Sequence, residues 1–161
     1  MSDINKIMEN GTELEPTYAP KRGIVVFRQV GNTVWISGHG PEDYNTNVPL
    51  YAGRIGSDLT PEEGYKAARE CALIILAKMR ELLGSLDRIK QVVKVFALVN
   101  CAEGFNDVDG VMDGFSETIF QVLEERGVHA RTVMGTHNMP NHNIPVEVEA
   151  IFEIFRPVRM N

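Results

Sequence analysis

Val146-Glu147-Val148-Glu149-Ala150-Ile151-Phe152-Glu153-Ile154 has apolar residues at every even position, while its odd positions read Glu147, Glu149, Ile151 and Glu153. A period of two belongs to a β-strand with unlike faces, one packed on a core and one presenting carboxylates. Upstream, His129-Ala130-Arg131-Thr132-Val133 is also strand-like, and Pro140 and Pro145 interrupt the chain between the two runs. Two strands are therefore expected, over about 131–137 and 146–155. If Arg131 shares the glutamate face, a fixed guanidinium and an acid become neighbours, the equipment for gripping a small carboxylate and moving protons on it.

Further upstream, Gln91-Val92-Val93-Lys94-Val95-Phe96-Ala97-Leu98-Val99-Asn100 is apolar on both faces and reads as a central strand covered on each side. Before it, Thr60-Pro61-Glu62-Glu63 is a capping box with proline at the first helical position. The helix it opens carries Ala67, Ala68, Cys71, Ile75, Met79 and Leu82 at spacings of three or four and stops at Gly84. A second helix is expected from about Val108 to Arg126, burying Phe115, Ile119, Phe120 and Leu123 and ending at Gly127.

Near the start of the core, Ile24 to Val30 and Thr33 to Ser37 flank Gly31-Asn32, a two-residue hairpin signal. Residues 38–59 are rich in Gly, Pro, Asn and Asp and read as a long loop with a short strand near Tyr51. Residues 1–18 read as a loosely ordered arm and 19–161 as a single domain. The order ββαβαββ predicts an α+β fold with both helices on one face of one mixed sheet. The opposite face keeps apolar side chains with nothing in the chain to cover them, so a homo-oligomer is expected.

Composition sets the functional bounds. At 161 residues, 43% hydrophobic and 24% charged, the chain is ordinary globular material. A net charge of −6 with scattered Lys and Arg argues against nucleic acid as a partner. Cys71 and Cys101 form no C-x-x-C pair and no secretory leader is read, so a cytoplasmic setting is expected, with Cys71 in the core. The apolar stretch at Leu73 to Ala77 is too short to span a membrane. His137 and His142 alone do not make a metal site, and no metal is expected.

Taken together, Ile36-Ser37-Gly38, the helix from Thr60, Leu86-Asp87, His129-Ala130-Arg131-Thr132-Val133, and Pro140 followed by Val146 to Ile151 resemble the YjgF-like or Rid (reactive intermediate deaminase) family. The likeness spans roughly residues 20–155. Leu82 to Arg88 and Gly127 to Arg131 look most like a longer branch labelled endoribonuclease or translation inhibitor. The resemblance implies a chorismate-mutase-like (bacillus type) fold that assembles as a homotrimer, with a central β-barrel and clefts between subunits. It also implies hydrolysis of reactive enamines and imines bearing a carboxylate to 2-keto acids and ammonia, without cofactor. Carried over, Arg131 binds the substrate carboxylate, Glu147 activates water, and the Val133 backbone helps hold the substrate.

Three positions depart from that pattern. Asp113, counted with the substrate-binding residues, replaces an asparagine; Ile24 stands where an aromatic hydroxyl is common, with Tyr18 or Tyr44 as substitutes; and His39 replaces a glutamine. The implied alternatives are a non-catalytic trimer that binds small carboxylates and, more remotely, an endoribonuclease. Each residue also has a structural reading: an interface salt bridge for Arg131 with Glu147, solvent-facing charges for Glu149, Glu153 and Asp113, and orienting or packing for His129.

Overall fold

The computed structural model describes residues 23–158. The expected N-terminal arm, and with it Tyr18, lies outside the described residues. Strand β1 (Phe27–Val30) and β2 (Thr33–His39) form the hairpin, with Val30 paired to Thr33 and Gly31 at φ 58. A positive φ is the left-handed conformation that a two-residue turn of this type requires. Strand β1 starts later than the sequence suggests, and Ile24 is exposed. Val25 and Val26 still accept hydrogen bonds from Ser37, through its hydroxyl and its N–H.

Helix α1 (Pro61–Leu83) begins with the reciprocal capping box between Thr60 and Glu63 and ends at Gly84, φ 78. Strand β3 (Ile89–Asn100) is followed by helix α2 (Val108–Leu123), capped by Asp107, then by β4 (Ala130–Thr136) and β5 (Val146–Ile154). Helix α2 stops three residues short of the expected end. Glu124 takes φ 53, and the chain tightens into a 3-10 turn over Glu124–Gly127. The stretch around Tyr51 forms no strand, only isolated bridges such as Glu42 with Pro49.

The five strands lie in the order β1-β2-β5-β3-β4, with β5 central, β3 and β4 parallel, and all other pairs antiparallel. The fold is α+β with one mixed sheet. Its core lies between the sheet and both helices: Val148, Ala150, Phe152 and Ile154 of β5 and Val95, Ala97 and Val99 of β3 are buried with Cys71, Ile75, Met79, Phe115 and Ile119. Gly114 lets the helices touch, because a Cβ there would collide with the Tyr65 carbonyl oxygen. That contact fixes the depth of α2 and so the position of its side chains beneath β4.

The expected burial of Phe120 needs correction. Phe120 is 47% exposed, because Phe115, Ile119 and Leu123 already fill the buried stripe and Phe120 points about 100° away from Ile119. A bulge between Val92 and Lys94 places both Val92 and Val95 in the core and leaves Val93 exposed. Among the described residues nothing covers the far face of the sheet. Trp35 and Met134 are exposed there, Phe96, Leu98 and Ile151 are half-buried, and the glutamates of β5 lie among them.

Candidate functional site

Arg131 lies on the edge strand β4 opposite Val95, and its side chain turns to the helix-covered side. There it meets a row on α2 formed by Asp109, Asp113 and Ser116, which the helical spacing of four and three puts on one face. Nη1 donates to Asp113 Oδ1 and Ser116 Oγ, both at 3.0 Å, and Nη2 donates to Asp109 Oδ1 at 3.1 Å. Asp113, expected at the substrate or in solvent, is an ion-pair partner of Arg131. Asp109 is the looser partner, with its side chain 80% exposed against 51% for Asp113.

His129 completes this cluster. Its Nδ1 lies 2.7 Å from the Gly127 carbonyl and its Nε2 lies 3.0 Å from Ser116 Oγ. A carbonyl only accepts, so Nδ1 carries the hydrogen, and in the neutral ring Nε2 accepts from the Ser116 hydroxyl. Burial pushes the imidazole below its usual pKa, the Gly127 carbonyl pulls it back up, and the Arg131 charge lowers it further. Phe115 packs edge-on against the ring. A groove of about 590 Å³ opens beside these groups, with Phe120 and Val128 on its wall.

Glu147 sits on the other side of the sheet. It pairs with Leu98, while Arg131 pairs with Val95 across the same strand, so the two side chains leave from opposite faces. The expectation that they share a face is not met within one chain. Glu147 is half-buried above Gly38, where any Cβ would collide with its Oε1. Burial raises its pKa, and the charges of Glu42 and Glu149 raise it further. Such a carboxyl is poised to hold or release a proton. Val133 follows Arg131 on the edge strand, half-buried opposite Ala97.

The departures noted in the sequence have definite places. Tyr44 donates to Glu81 at 2.8 Å and lies under the Lys78 ammonium, tied to α1 rather than moved toward Glu147. His39 contacts the Ser37 carbonyl through Nδ1 at 2.6 Å, and burial holds its pKa down. Between β4 and β5, Asn141, His142 and Asn143 take consecutive positive φ values of 49, 63 and 63. Fully buried Asn100 anchors this turn by donating to Asn143 Oδ1 at 2.8 Å. Among the described residues no group of three or more His, Cys, Asp or Glu side chains could hold a metal ion, and no helix is long and apolar enough to cross a membrane.

A family model described as "YjgF/chorismate_mutase-like, putative endoribonuclease" matches residues 5–151. The chain belongs to the YjgF/chorismate-mutase-like family. This YjgF-like chain is 37% identical over 145 residues to Protein TCP17 of Trypanosoma cruzi, covering 89% of each. It superposes on Atu1372 of Agrobacterium tumefaciens, a protein of unknown function, with TM-score 0.77, 32% identity, and 93% and 92% of the two chains covered. A "putative endoribonuclease" from Shewanella oneidensis MR-1 gives TM-score 0.79 at 26% identity, covering 96% and 100%.

Ser116 and Asp109 are the site residues that the sequence reading of this YjgF-like chain passes over. Their signal was available in the recurrence of Asp109, Asp113 and Ser116 along α2, once Arg131 is known to pack on that helix.

Proposed function

We propose that the protein hydrolyses small enamine or imine intermediates bearing a carboxylate, giving 2-keto acids and ammonia in clefts between the subunits of a homotrimer. Arg131 of one subunit anchors the carboxylate, an enamine first takes a solvent proton at C3 to become the imine, and Glu147 of the next subunit takes a proton from the water that attacks C2 of the protonated imine. The carbinolamine then collapses, with Glu147 returning that proton to the departing nitrogen, a form of help worth roughly 10²–10⁴-fold. The observation that carries this reading is the split of Arg131 and Glu147 between opposite faces of one sheet, the second of them largely apolar and left open by the described residues. One chain cannot bring the two side chains together, whereas an adjacent copy seated on that face can.

Arg131 is engaged by two aspartates, so an incoming carboxylate exchanges with the exposed Asp109. Generating 2-aminoacrylate in situ and following pyruvate tests the reaction. Conversion by the protein at the uncatalysed rate rejects this substrate, and an Arg131→Ala variant as active as an active wild type rejects the anchoring role.

A second reading is a non-catalytic trimer that binds small carboxylates. It is favoured by the Asp109 and Asp113 contacts, which hold Arg131 in place but lessen its attraction for an anionic substrate. Calorimetry with 2-oxobutyrate separates the two: binding without deaminase activity selects the second. RNA cleavage finds less support, since the chain carries a net charge of −6 and the Arg131 cluster includes two carboxylates.

A further inference from the structure

The Ser116 hydroxyl occupies an unusual position for a serine inside a helix. Its oxygen accepts from Arg131 Nη1 at 3.0 Å, and its hydrogen is directed to His129 Nε2, also at 3.0 Å. The imidazole is held in the required tautomer by its Nδ1–H bond to the Gly127 carbonyl. This is the sequence of contacts that activates a serine: nucleophile, base, and an acceptor that orients the base. Here a backbone carbonyl serves as the orienting group. All three side chains open onto the 590 Å³ groove, so the hydroxyl is reachable.

We infer that Ser116 and His129 form a nucleophile and base pair able to hydrolyse small uncharged carboxylic esters, an activity separate from imine hydrolysis and independent of Glu147. Ser116 Oγ bonds to the ester carbonyl carbon as its proton passes to His129 Nε2. The Arg131 guanidinium, already beside Oγ, faces the negative charge that develops. Collapse breaks the bond to the alcohol oxygen, which leaves with the proton from Nε2. Water then attacks the acyl-serine carbonyl carbon and gives a proton to Nε2, and collapse breaks the bond to Oγ, which takes that proton back as the acid leaves. No oxidant, metal or organic cofactor enters the balance.

The groove also defines the substrate class. Phe120 and Val128, 47% and 60% exposed, offer an apolar wall for an acyl chain, and Asp113 and Glu117 stand at the same opening. These carboxylates offset the Arg131 charge at the opening, so an ester with no charge of its own is accommodated there. Burial also lowers the His129 pKa, which leaves the base unprotonated at neutral pH.

The test treats the intact protein with p-nitrophenyl acetate and with a fluorophosphonate probe, following p-nitrophenol release and intact mass, then locating the adduct by peptide mapping. One adduct per chain on Ser116 is expected, absent from Ser116→Ala and formed at least about 100-fold more slowly in His129→Gln. Labelling confined to other residues, no labelling above that of the heat-denatured chain, or an unchanged rate in His129→Gln overturns the inference. If either variant fails to fold, the mapped position of the wild-type adduct decides alone. Neither readout passes through Glu147 or an imine, so failure of this activity and failure of the deaminase remain distinguishable.

Discussion

Arg131 and Glu147 project from opposite faces of one sheet, although their backbone partners, Val95 and Leu98, are only three residues apart on β3. A cleft that needs both must draw them from different subunits, and mixing subunits tests this. Arg131→Ala and Glu147→Ala variants, each inactive, should recover about a quarter of wild-type deaminase activity when unfolded and refolded together. In a randomly mixed closed ring, one interface in about four unites an intact arginine with an intact glutamate. Absence of recovery, with mixed oligomers demonstrated by mass spectrometry, would remove the shared cleft.

Asp113→Asn takes a negative charge from beside Arg131 and leaves a neutral side chain of the same shape. Because exposed ion pairs are worth about 0.2–1 kcal/mol, KM for a 2-imino acid, or Kd for a 2-keto acid, should fall by up to about fivefold with kcat little changed. Steady-state kinetics and calorimetry read this directly.

Glu147 has a folded-state pKa above its ordinary value of 4.5, first through burial and then through Glu42 and Glu149. Ionising it therefore costs stability, a cost that grows as pH rises from 4.5 through the folded pKa. Glu147→Gln should raise Tm at pH 7, lose that gain below about pH 4.5, and lower kcat by roughly 10²–10⁴-fold. Thermal melts across pH provide the check.

His39 and His129 behave in the opposite sense. Burial lowers both below 6.5, so the unfolded chain takes up protons first as pH falls. Stability present above about pH 6.5 should decline progressively below it until the folded-state values are reached, and His129→Gln should flatten part of that slope. Denaturant midpoints taken at intervals from about pH 7.5 down to about pH 5, a range that brackets the ordinary histidine value, measure the decline.

Gly38→Ala should abolish imine hydrolysis while keeping the fold, because the added Cβ occupies the space of Glu147 Oε1 and drives the carboxylate aside. The destabilisation, about 1–3 kcal/mol as for other overpacked sites, should largely vanish on a Glu147→Ala background. A double-mutant cycle by chemical denaturation measures the coupling.

The fold was legible wherever local chemistry and global packing agree. The Thr60 to Glu63 box set the start of α1, Gly84 its end, and the alternation from Val146 to Ile154 identified β5 with its core-facing side. The face used by Arg131 was not legible. Residues 130–136 lack clean alternation, and their register on β3 is set by the α2 crossover rather than by their own pattern. The bulge after Val92 and the left-handed turn at Asn141 to Asn143 were hidden for a related reason, since both depend on partners distant in sequence. Arg131 and Glu147 could be named from the resemblance, but Ser116 required the helix and edge strand to be placed together.

Among the described residues strand β4 borders only β3, and side-chain moorings to α2 run through its Arg131 and through His129 just before it, which meet at one serine hydroxyl. Any occupant that draws the guanidinium away leaves one fewer tether on the rim of the sheet. Ligand capture and loosening of this border are thus mechanically linked, and amide hydrogen exchange along Ala130 to Thr136 would register occupancy of the cleft even when no turnover takes place.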